Sequence, residues 1–296
     1  MILLTGATGF VGTHLLKALL EKGYKIRALI LPDEQIPFDG TNLEWIRGDI
    51  RDRESLRNCF SGISTVLHMA GVVASPDNGL TFSVNFDGTR NLVDICIEKE
   101  VNKFIFMSAA AAKYGKLNAY GYSKKMAEEY IVASGIPYVI LRTALIIGRG
   151  CYEFERFEKY VNQFPKVVIV FGHGNTIKRP IFIGDVVTSI IRIVERNRVL
   201  NRIYDIASQK KVILNELIDL ICINGGEKKT KIHIPLGFSL FLAAMMETLL
   251  RKKAPITKDI LIGLNEDVIL DTDSALKELE LYPMDTAKAI YKYYKE

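Results

Sequence analysis

Hydrophobic positions in the first half of the chain follow two alternating rhythms. Met1 to Leu4 is an unbroken apolar run, as expected of a strand buried on both faces. After Gly12 the rhythm becomes helical, with Leu15, Leu16, Leu19 and Leu20 on one stripe. Strand-like runs return at Tyr24–Ile30, Leu43–Arg47, Thr65–His68, Lys103–Met107 and Ile136–Leu141. Between them, helices are predicted to begin near Arg53 and to span Leu80–Glu100 and Ala119–Ser134. Strands and helices alternating through residue 145 predict an α/β fold, a doubly wound parallel sheet of the Rossmann type.

The order changes beyond Gly148. Cys151–Gln163 reads as a charged helix and Gly172–Asn175 as a turn. Pro180–Val186 leads into an apolar helix ending near Arg196, and Arg202–Ala207 reads as a last strand. Residues 210–296 are predicted to be mostly helical. The expected division is a dinucleotide-binding domain, 1–148 with a return segment 180–209, and a smaller substrate lobe, 149–179 with 210–296. A cleft is expected at the C-terminal edge of the strands.

The junction of the first strand and helix, Gly6-x-x-Gly9-x-x-Gly12, carries the first chemical signal. Glycine lets the backbone turn tightly and approach an anion closely. The free amides and the positive end of the helix then face a dinucleotide pyrophosphate. The end of the second strand normally separates NAD from NADP, through an acid for the ribose hydroxyls or an arginine for the extra phosphate. Ile30 and Leu31 stand there and do neither, and Arg27 is a strand residue of open facing. Either NAD or NADP is therefore expected, with little discrimination.

Composition narrows the picture by exclusion. The 296 residues are 49% hydrophobic, enough for a sizeable core, and the net charge is +5. Basic residues are spread along the chain, so no nucleic-acid surface is expected. Cys59, Cys96, Cys151 and Cys222 show no paired spacing, and the four histidines are equally scattered. Neither a metal site nor a disulfide framework is expected, and reduced thiols fit a cytoplasmic setting. The chain opens directly into a strand, without the look of a signal peptide. Leu236–Leu250 is the most apolar stretch, followed by Arg251-Lys252-Lys253. At fifteen residues it falls short of the ~20 needed to span a bilayer. It reads as a substrate-lobe or dimer-contact helix, or as one lying on a membrane surface.

Tyr120 and Lys124 lie four apart in Y-G-Y-S-K-K-M-A-E-E, on one face of a predicted helix. A tyrosine can move a proton on a substrate oxygen if its pKa is brought down from ~10, and a nearby ammonium favours the phenolate. Tyr291 and Lys295 share the spacing with none of the context.

Taken together, T-G-A-T-G-F-V-G and Y-G-x-S-K-x-x-A-E resemble the short-chain dehydrogenase/reductase superfamily, in its extended or atypical branch. That branch holds nucleotide-sugar epimerases, dehydratases and carbonyl reductases. The resemblance implies an NAD(P)-dependent oxidoreductase or epimerase acting on a small molecule, with a nucleotide sugar as one candidate. It assigns the acid/base role to Tyr120. Lys124 would tune it and hold the cofactor ribose, and Asn85 would kink its helix and support a water chain to the lysine. The turn residues Gly6, Thr8, Gly9, Phe10, Val11 and Gly12 would cradle the cofactor. Asp49 would meet the adenine amino group and Ile50 pack on the ring; the alternative for Asp49 is a cap on the helix near Arg53. Ala70 and Gly71, in H-M-A-G, would pass beneath the nicotinamide half, with His68 a packed structural residue. The Tyr120 helix and the one before it commonly build homodimers in this superfamily.

The family pattern is broken at one position. Two small hydroxyl residues usually follow the fifth strand, the second bonding the substrate oxygen. Here Ser108 matches the first and Ala109 takes the place of the second, unless the alignment shifts by one. Lys178 stands where epimerases usually carry a diphosphate-gripping arginine, and cannot make its bidentate fork. Lys178–Val186 resembles more closely the NAD(P)H-binding accessory subunit of respiratory complex I. A cofactor-binding protein with little turnover, acting as a redox-sensing or assembly module, is thus the second expectation.

Overall fold

The computed structural model describes residues 1–73, 75–114, 118–196, 201–250 and 257–295. The basic run Arg251-Lys252-Lys253 lies outside them. Two compact units are formed: Met1–Thr143 with Ile183–Ile206 and Asp271–Tyr282, and Ala144–Phe182 with Ala207–Leu270 and Pro283–Glu296.

With elements numbered along the whole chain, the first unit holds strands β1 (Ile2–Thr5), β2 (Ile26–Ile30), β3 (Leu43–Arg47), β4 (Thr65–His68), β5 (Lys103–Ala109), β6 (Tyr138–Thr143) and β11 (Arg202–Ile206). They form one sheet, β11-β6-β5-β4-β1-β2-β3, with every pairing parallel. The chain enters at β1, winds to one edge through β2 and β3, then returns beside β1 at β4 and winds to the other. That reversal leaves a crevice at the C-terminal ends of β1 and β4, where such sheets bind ligands. Leu3, Leu4, Ala28, Val66, Leu67, Ile105 and Ile140 are buried in the middle of the sheet. Arg27 is buried as well: its guanidinium donates to Glu44 and to the carbonyls of Cys59 and Ser61, at 3.0, 3.0 and 2.7 Å. It faces into that turn.

The helices of this unit are α1 (Phe10–Glu21), α2 (Arg53–Leu56), α3 (Asn78–Phe82), α4 (Gly88–Glu98), α5 (Ala119–Ser134), α7 (Ile183–Glu195) and α11 (Asp273–Glu278). α1 begins at Phe10, so Gly12 lies inside the helix rather than before it. The helix expected over Leu80–Glu100 is broken in two by a π-helical turn, Ser83–Asp87. Such turns tend to occur where a side chain is needed out of helical phase; Asn85 sits at its centre. Asp271–Tyr282, expected within the substrate lobe, groups with this unit instead. α11 packs on β11, Tyr204 donates to Glu278 at 2.6 Å, and Arg192 donates to the Leu279 carbonyl at 2.7 Å.

The second unit is built from three short strand pairs. β7 (Ile146–Ile147) runs parallel to β10 (Ile181–Phe182), β8 (Val167–Phe171) parallel to β13 (Thr230–Ile234), and β9 (Ile177–Lys178) antiparallel to β12 (Val212–Ile213). Its helices are α6 (Tyr152–Val161), α8 (Leu214–Asn224), α9 (Leu236–Leu250), α10 (Lys258–Asn265) and α12 (Thr286–Lys295). On α9 the usual polarity is inverted. Ser239 and Ala243 are buried, while Phe238, Phe241, Leu242, Met245 and Leu249 are exposed. No described helix is long and apolar enough to cross a membrane.

Candidate active site

The loop between β1 and α1 is shaped by contacts that only glycine permits. Gly6 has φ +68°, and a Cβ there would lie 2.6 Å from the Ala70 nitrogen. A Cβ on Gly12 would lie 1.9 Å from the Gly6 carbonyl oxygen. Gly9 differs: its nearest neighbour would be that same oxygen at 3.2 Å, and the residue is exposed. Gly6 and Gly12 therefore close the turn, whereas Gly9 faces outward. Gly9 caps α1 without a side-chain bond, and no acidic residue stands in the first turn. The first amides and positive end of α1 thus suit an anion. Thr8 is exposed, and Phe10 and Val11 are half-buried beside it.

Across the crevice, the turn after β4 is tied to the same place. His68 is fully buried; its Nδ1 is 2.7 Å from Thr5 Oγ1 and its Nε2 2.9 Å from Thr89 Oγ1. Thr89 gives its own hydrogen to the Asn85 carbonyl at 2.7 Å, so it accepts from the ring. That logic assigns the proton to Nε2 and makes Nδ1 the acceptor of the Thr5 hydroxyl. Burial, then the charge of Lys124, hold the ring well below its ordinary pKa, and it stays neutral. His68 is a structural tie between β1, β4 and the π turn. Asn85 is fully buried too. Its Oδ1 accepts from Val72 N at 2.8 Å, and its Nδ2 donates to Val72 O at 2.9 Å and Ser123 Oγ at 3.1 Å. Ser123 Oγ in turn donates to the Tyr120 carbonyl at 2.8 Å. The π turn therefore clamps the loop after Gly71 to the helix carrying Tyr120.

On α5, Tyr120 is half-buried, and Lys124 and Glu128 are buried on the same face. Asn118 caps this helix by accepting from Gly121 N at 2.8 Å, and Gly135 ends it at φ +78°. Lys124 Nζ donates to the Met107 carbonyl at 2.9 Å and lies 4.6 Å from the centre of the Phe106 ring. Burial lowers its pKa to about 8, and Glu128 pulls it back upward. A Cβ on Gly71 would lie 3.2 Å from both Lys124 Nζ and Asn85 Oδ1. Ala70, Gly71, Asn85, Tyr120 and Lys124 are thus brought together at the ends of β4 and β5.

The hydroxyl of Ser108 is committed elsewhere. It donates to Glu128 Oε1, and Arg142 grips both oxygens of that carboxylate, Nε at 3.0 Å from each and Nη2 at 2.5 Å from Oε2. Lys113 and Asp205, 2.7 Å apart, extend the network. Adjacent strand residues face opposite sides, so Ala109 looks away from Glu128 and offers a methyl group only. Sequence reasoning missed the Glu128–Arg142 pair. Its available signal was the spacing of Glu128, four residues beyond Lys124 on one helical face.

Asp49 and Ile50 follow β3. Arg51 binds the Asp49 carboxylate and holds its pKa below the ordinary range. The cap of α2 is Asp52, accepting from Glu54 N at 3.0 Å, so the capping alternative for Asp49 fails. Ile50 is buried, and a Cβ on Gly88 would lie 2.7 Å from its side chain. Lys178 lies in the second unit, where its ammonium donates to the carbonyls of Glu266 and Gly263 at 2.7 and 3.3 Å. Arg179 beside it bonds the carbonyls of Ser208 and Leu270. Lys295 simply covers the exposed Tyr291 ring at 5.7 Å. Among the described residues there is no metal-binding cluster.

Residues 2–207 match the NAD dependent epimerase/dehydratase family. A putative UDP-glucose 4-epimerase of Methanocaldococcus jannaschii is 28% identical over 256 residues, 75% of this chain and 81% of that one. A ceramide reductase of Caulobacter vibrioides is 30% identical over 51% of this chain, which spans 47% of that enzyme. A Bacillus cereus UDP-glucuronic acid 4-epimerase, solved with UDP-glucuronic acid and NAD, shares the fold with a TM-score of 0.75. The identity there is 22%, over 99% of this chain and 98% of the other.

Proposed function

Because the chain belongs to the NAD dependent epimerase/dehydratase family, we propose that it is an NAD(P)-dependent oxidoreductase or epimerase of the extended short-chain class. It would act on a carbonyl or hydroxyl carbon of a small molecule, with nucleotide sugars the first class to try. The observation that carries this reading is the buried Lys124, four residues from Tyr120 on one face of α5 and clamped through Asn85 and Ser123 to the loop after Gly71.

The glycine turn fits a diphosphate: amide donors, a positive helix end and an outward Gly9 with no side chain in the way. A nicotinamide bound there would supply hydride acceptance or donation, and the chain's own residues must then manage a proton. Tyr120 is the group to exchange it with the substrate oxygen. Lys124 favours the phenolate by its charge and donates to the ribose. The Asn85 amide fixes the loop over which both would work.

Ala109 favours the second reading, a cofactor-binding protein with little turnover. With Ser108 turned to Glu128 and a methyl at 109, one donor to a developing oxyanion is lacking, which commonly costs about 10²–10³ in rate. One experiment separates the two. NAD and NADP are titrated into the protein, and turnover is assayed with UDP-glucose, UDP-glucuronic acid and a panel of carbonyl compounds. Turnover that vanishes in Tyr120→Phe while cofactor binding persists supports the enzyme. Cofactor binding with no turnover on any substrate supports the second reading.

A further inference from the structure

The fifteen residues of α9 carry one charge, Glu247, and apart from Ser239 and Thr248 the rest are apolar. A helix apolar on every side is at home inside a core or a membrane. α9 is covered on one side only. Ser239 and Ala243, two small residues one turn apart, seat it on its unit. Phe238 is 56% exposed, Phe241 60% and Leu249 75%, with Leu242 and Met245 exposed beside them. At about 100° per residue these five fall within an arc of about 100°. Glu247 stands on the opposite side, where its carboxylate accepts from Lys258 N at 3.0 Å. Thr248, at the edge of the arc, gives its hydroxyl to the Ala244 carbonyl at 2.9 Å, so covering it strands no side-chain donor.

Single exposed apolar residues are ordinary, but a contiguous row of them marks an interaction surface. The sequence supplies the sign of the partner. From Thr248 to Lys258 the chain has the cations Arg251, Lys252, Lys253 and Lys258 and no acid. We propose that this face of α9 lies in the surface of a lipid bilayer that carries anionic headgroups. The phenylalanine, leucine and methionine side chains would enter the boundary between headgroups and acyl chains, and the basic run that follows would meet the phosphates. At about 1.5 Å per residue α9 is too short to cross the hydrocarbon, so it lies along the surface. A second copy of the chain fits less well. α9 offers no acid besides Glu247, which is turned away, so the basic run would find no counter-charge on a partner's α9. The proposal is independent of the glycine turn and of catalysis.

The test is flotation of the full chain with phosphatidylcholine vesicles, with and without phosphatidylglycerol. Binding is expected to be about tenfold or more stronger with the anionic lipid, and to weaken as salt is raised. Phe241→Ser with Leu249→Ser removes apolar contact, and Lys252→Gln with Lys253→Gln removes charge. Each pair should weaken binding about tenfold or more, since a basic residue near such a surface counts for roughly fivefold and a buried methylene for roughly fourfold. Circular dichroism checks that both variants fold; if the serine pair does not, the glutamine pair carries the test. Wild type that stays off anionic vesicles, or variants that bind them as wild type does, overturn the proposal. So does self-association that the serine pair abolishes without any flotation, which assigns the face to a second copy.

Discussion

Lys124 in the first unit and Lys178 in the second reach the same electrostatic compromise. Burial lowers each ammonium to about 8, and neighbouring acids pull each part of the way back, Glu128 for the first and Asp267 with Glu266 for the second. Their surroundings differ. Lys124 holds one strand carbonyl, stands over an aromatic ring, and comes close to the bare face of Gly71 and the Asn85 amide. Lys178 spends itself on two carbonyls around the C-terminal end of α10, as a staple would. A displaced titration point is shared by both, so it does not mark a site. What separates them is whether the ammonium shares its place with other groups able to act on a ligand.

The largest expected effect falls on Lys124's side. Lys124→Met and Tyr120→Phe should each lower kcat/KM by about 10²–10⁴, the usual range for a positioned acid or base. The check is steady-state turnover on whichever substrate the panel identifies. A loss under about fivefold for Tyr120→Phe would remove it from the chemistry.

Gly9 and Gly12 repeat the contrast between facing a ligand and holding the fold. Gly12→Ala must push its methyl into the Gly6 carbonyl and should cost about 1–3 kcal/mol of stability. Gly9→Val should leave the chain folded and abolish dinucleotide binding. Denaturant melts beside a cofactor titration distinguish them, and a Gly9→Val protein that still binds NAD would undo the contrast.

His68 sharpens it further, because its neutral state has burial as the larger cause and Lys124 as the smaller. The folded ring resists protonation well below 6.5, whereas the unfolded chain takes up the proton near that value. The unfolded state therefore binds the extra proton in acid. The contribution to stability is full above about pH 6.5 and is lost as pH falls below it, by up to ~1.4 kcal/mol per pH unit. Unfolding free energies from about pH 7.5 down to 5.5 should show this slope in wild type and in Lys124→Met, and a flatter one in His68→Gln. Disappearance of the slope in Lys124→Met would make the lysine the dominant cause.

The smallest effect belongs to Lys178→Met. Two carbonyls lose their donor, at a cost of about 1 kcal/mol or a fall in Tm of roughly 2–4 °C. Turnover should hold. A drop matching that of Lys124→Met would return Lys178 to a role in gripping substrate.

Sequence periodicity located β3, β4, α5 and α9 to the residue, because each is a run of one rhythm bounded by turn or polar residues. It was blind where tertiary contacts decide. Thr230–Ile234 alternates only weakly and becomes a strand by lying beside β8. Asp271–Tyr282 joins the first unit through bonds from Arg192 and Tyr204, distant in sequence. At the candidate site, the glycine turn and the Tyr120–Lys124 pair are local spacings and so could be read. The fate of Ser108 could not, since whether its hydroxyl meets a ligand or Glu128 depends on how β5 packs against α5.

The π turn at Ser83–Asp87 has a consequence for length as well as for bonding. Such a turn is, in effect, one residue too many for a regular helix. Helices ordinarily resist deletion, because each residue removed rotates everything beyond it by about 100°. Here the arithmetic runs the other way. Removing one residue from this turn would let α3 and α4 merge into an unbroken helix, with its hydrogen-bond ladder improved. The loss would fall on phase: Asn85 would swing away from Val72 and Ser123, and the loop after Gly71 would come loose from α5. Such a shortened chain should keep its helical circular dichroism and lose activity, the mark of a helix lengthened for the sake of one amide.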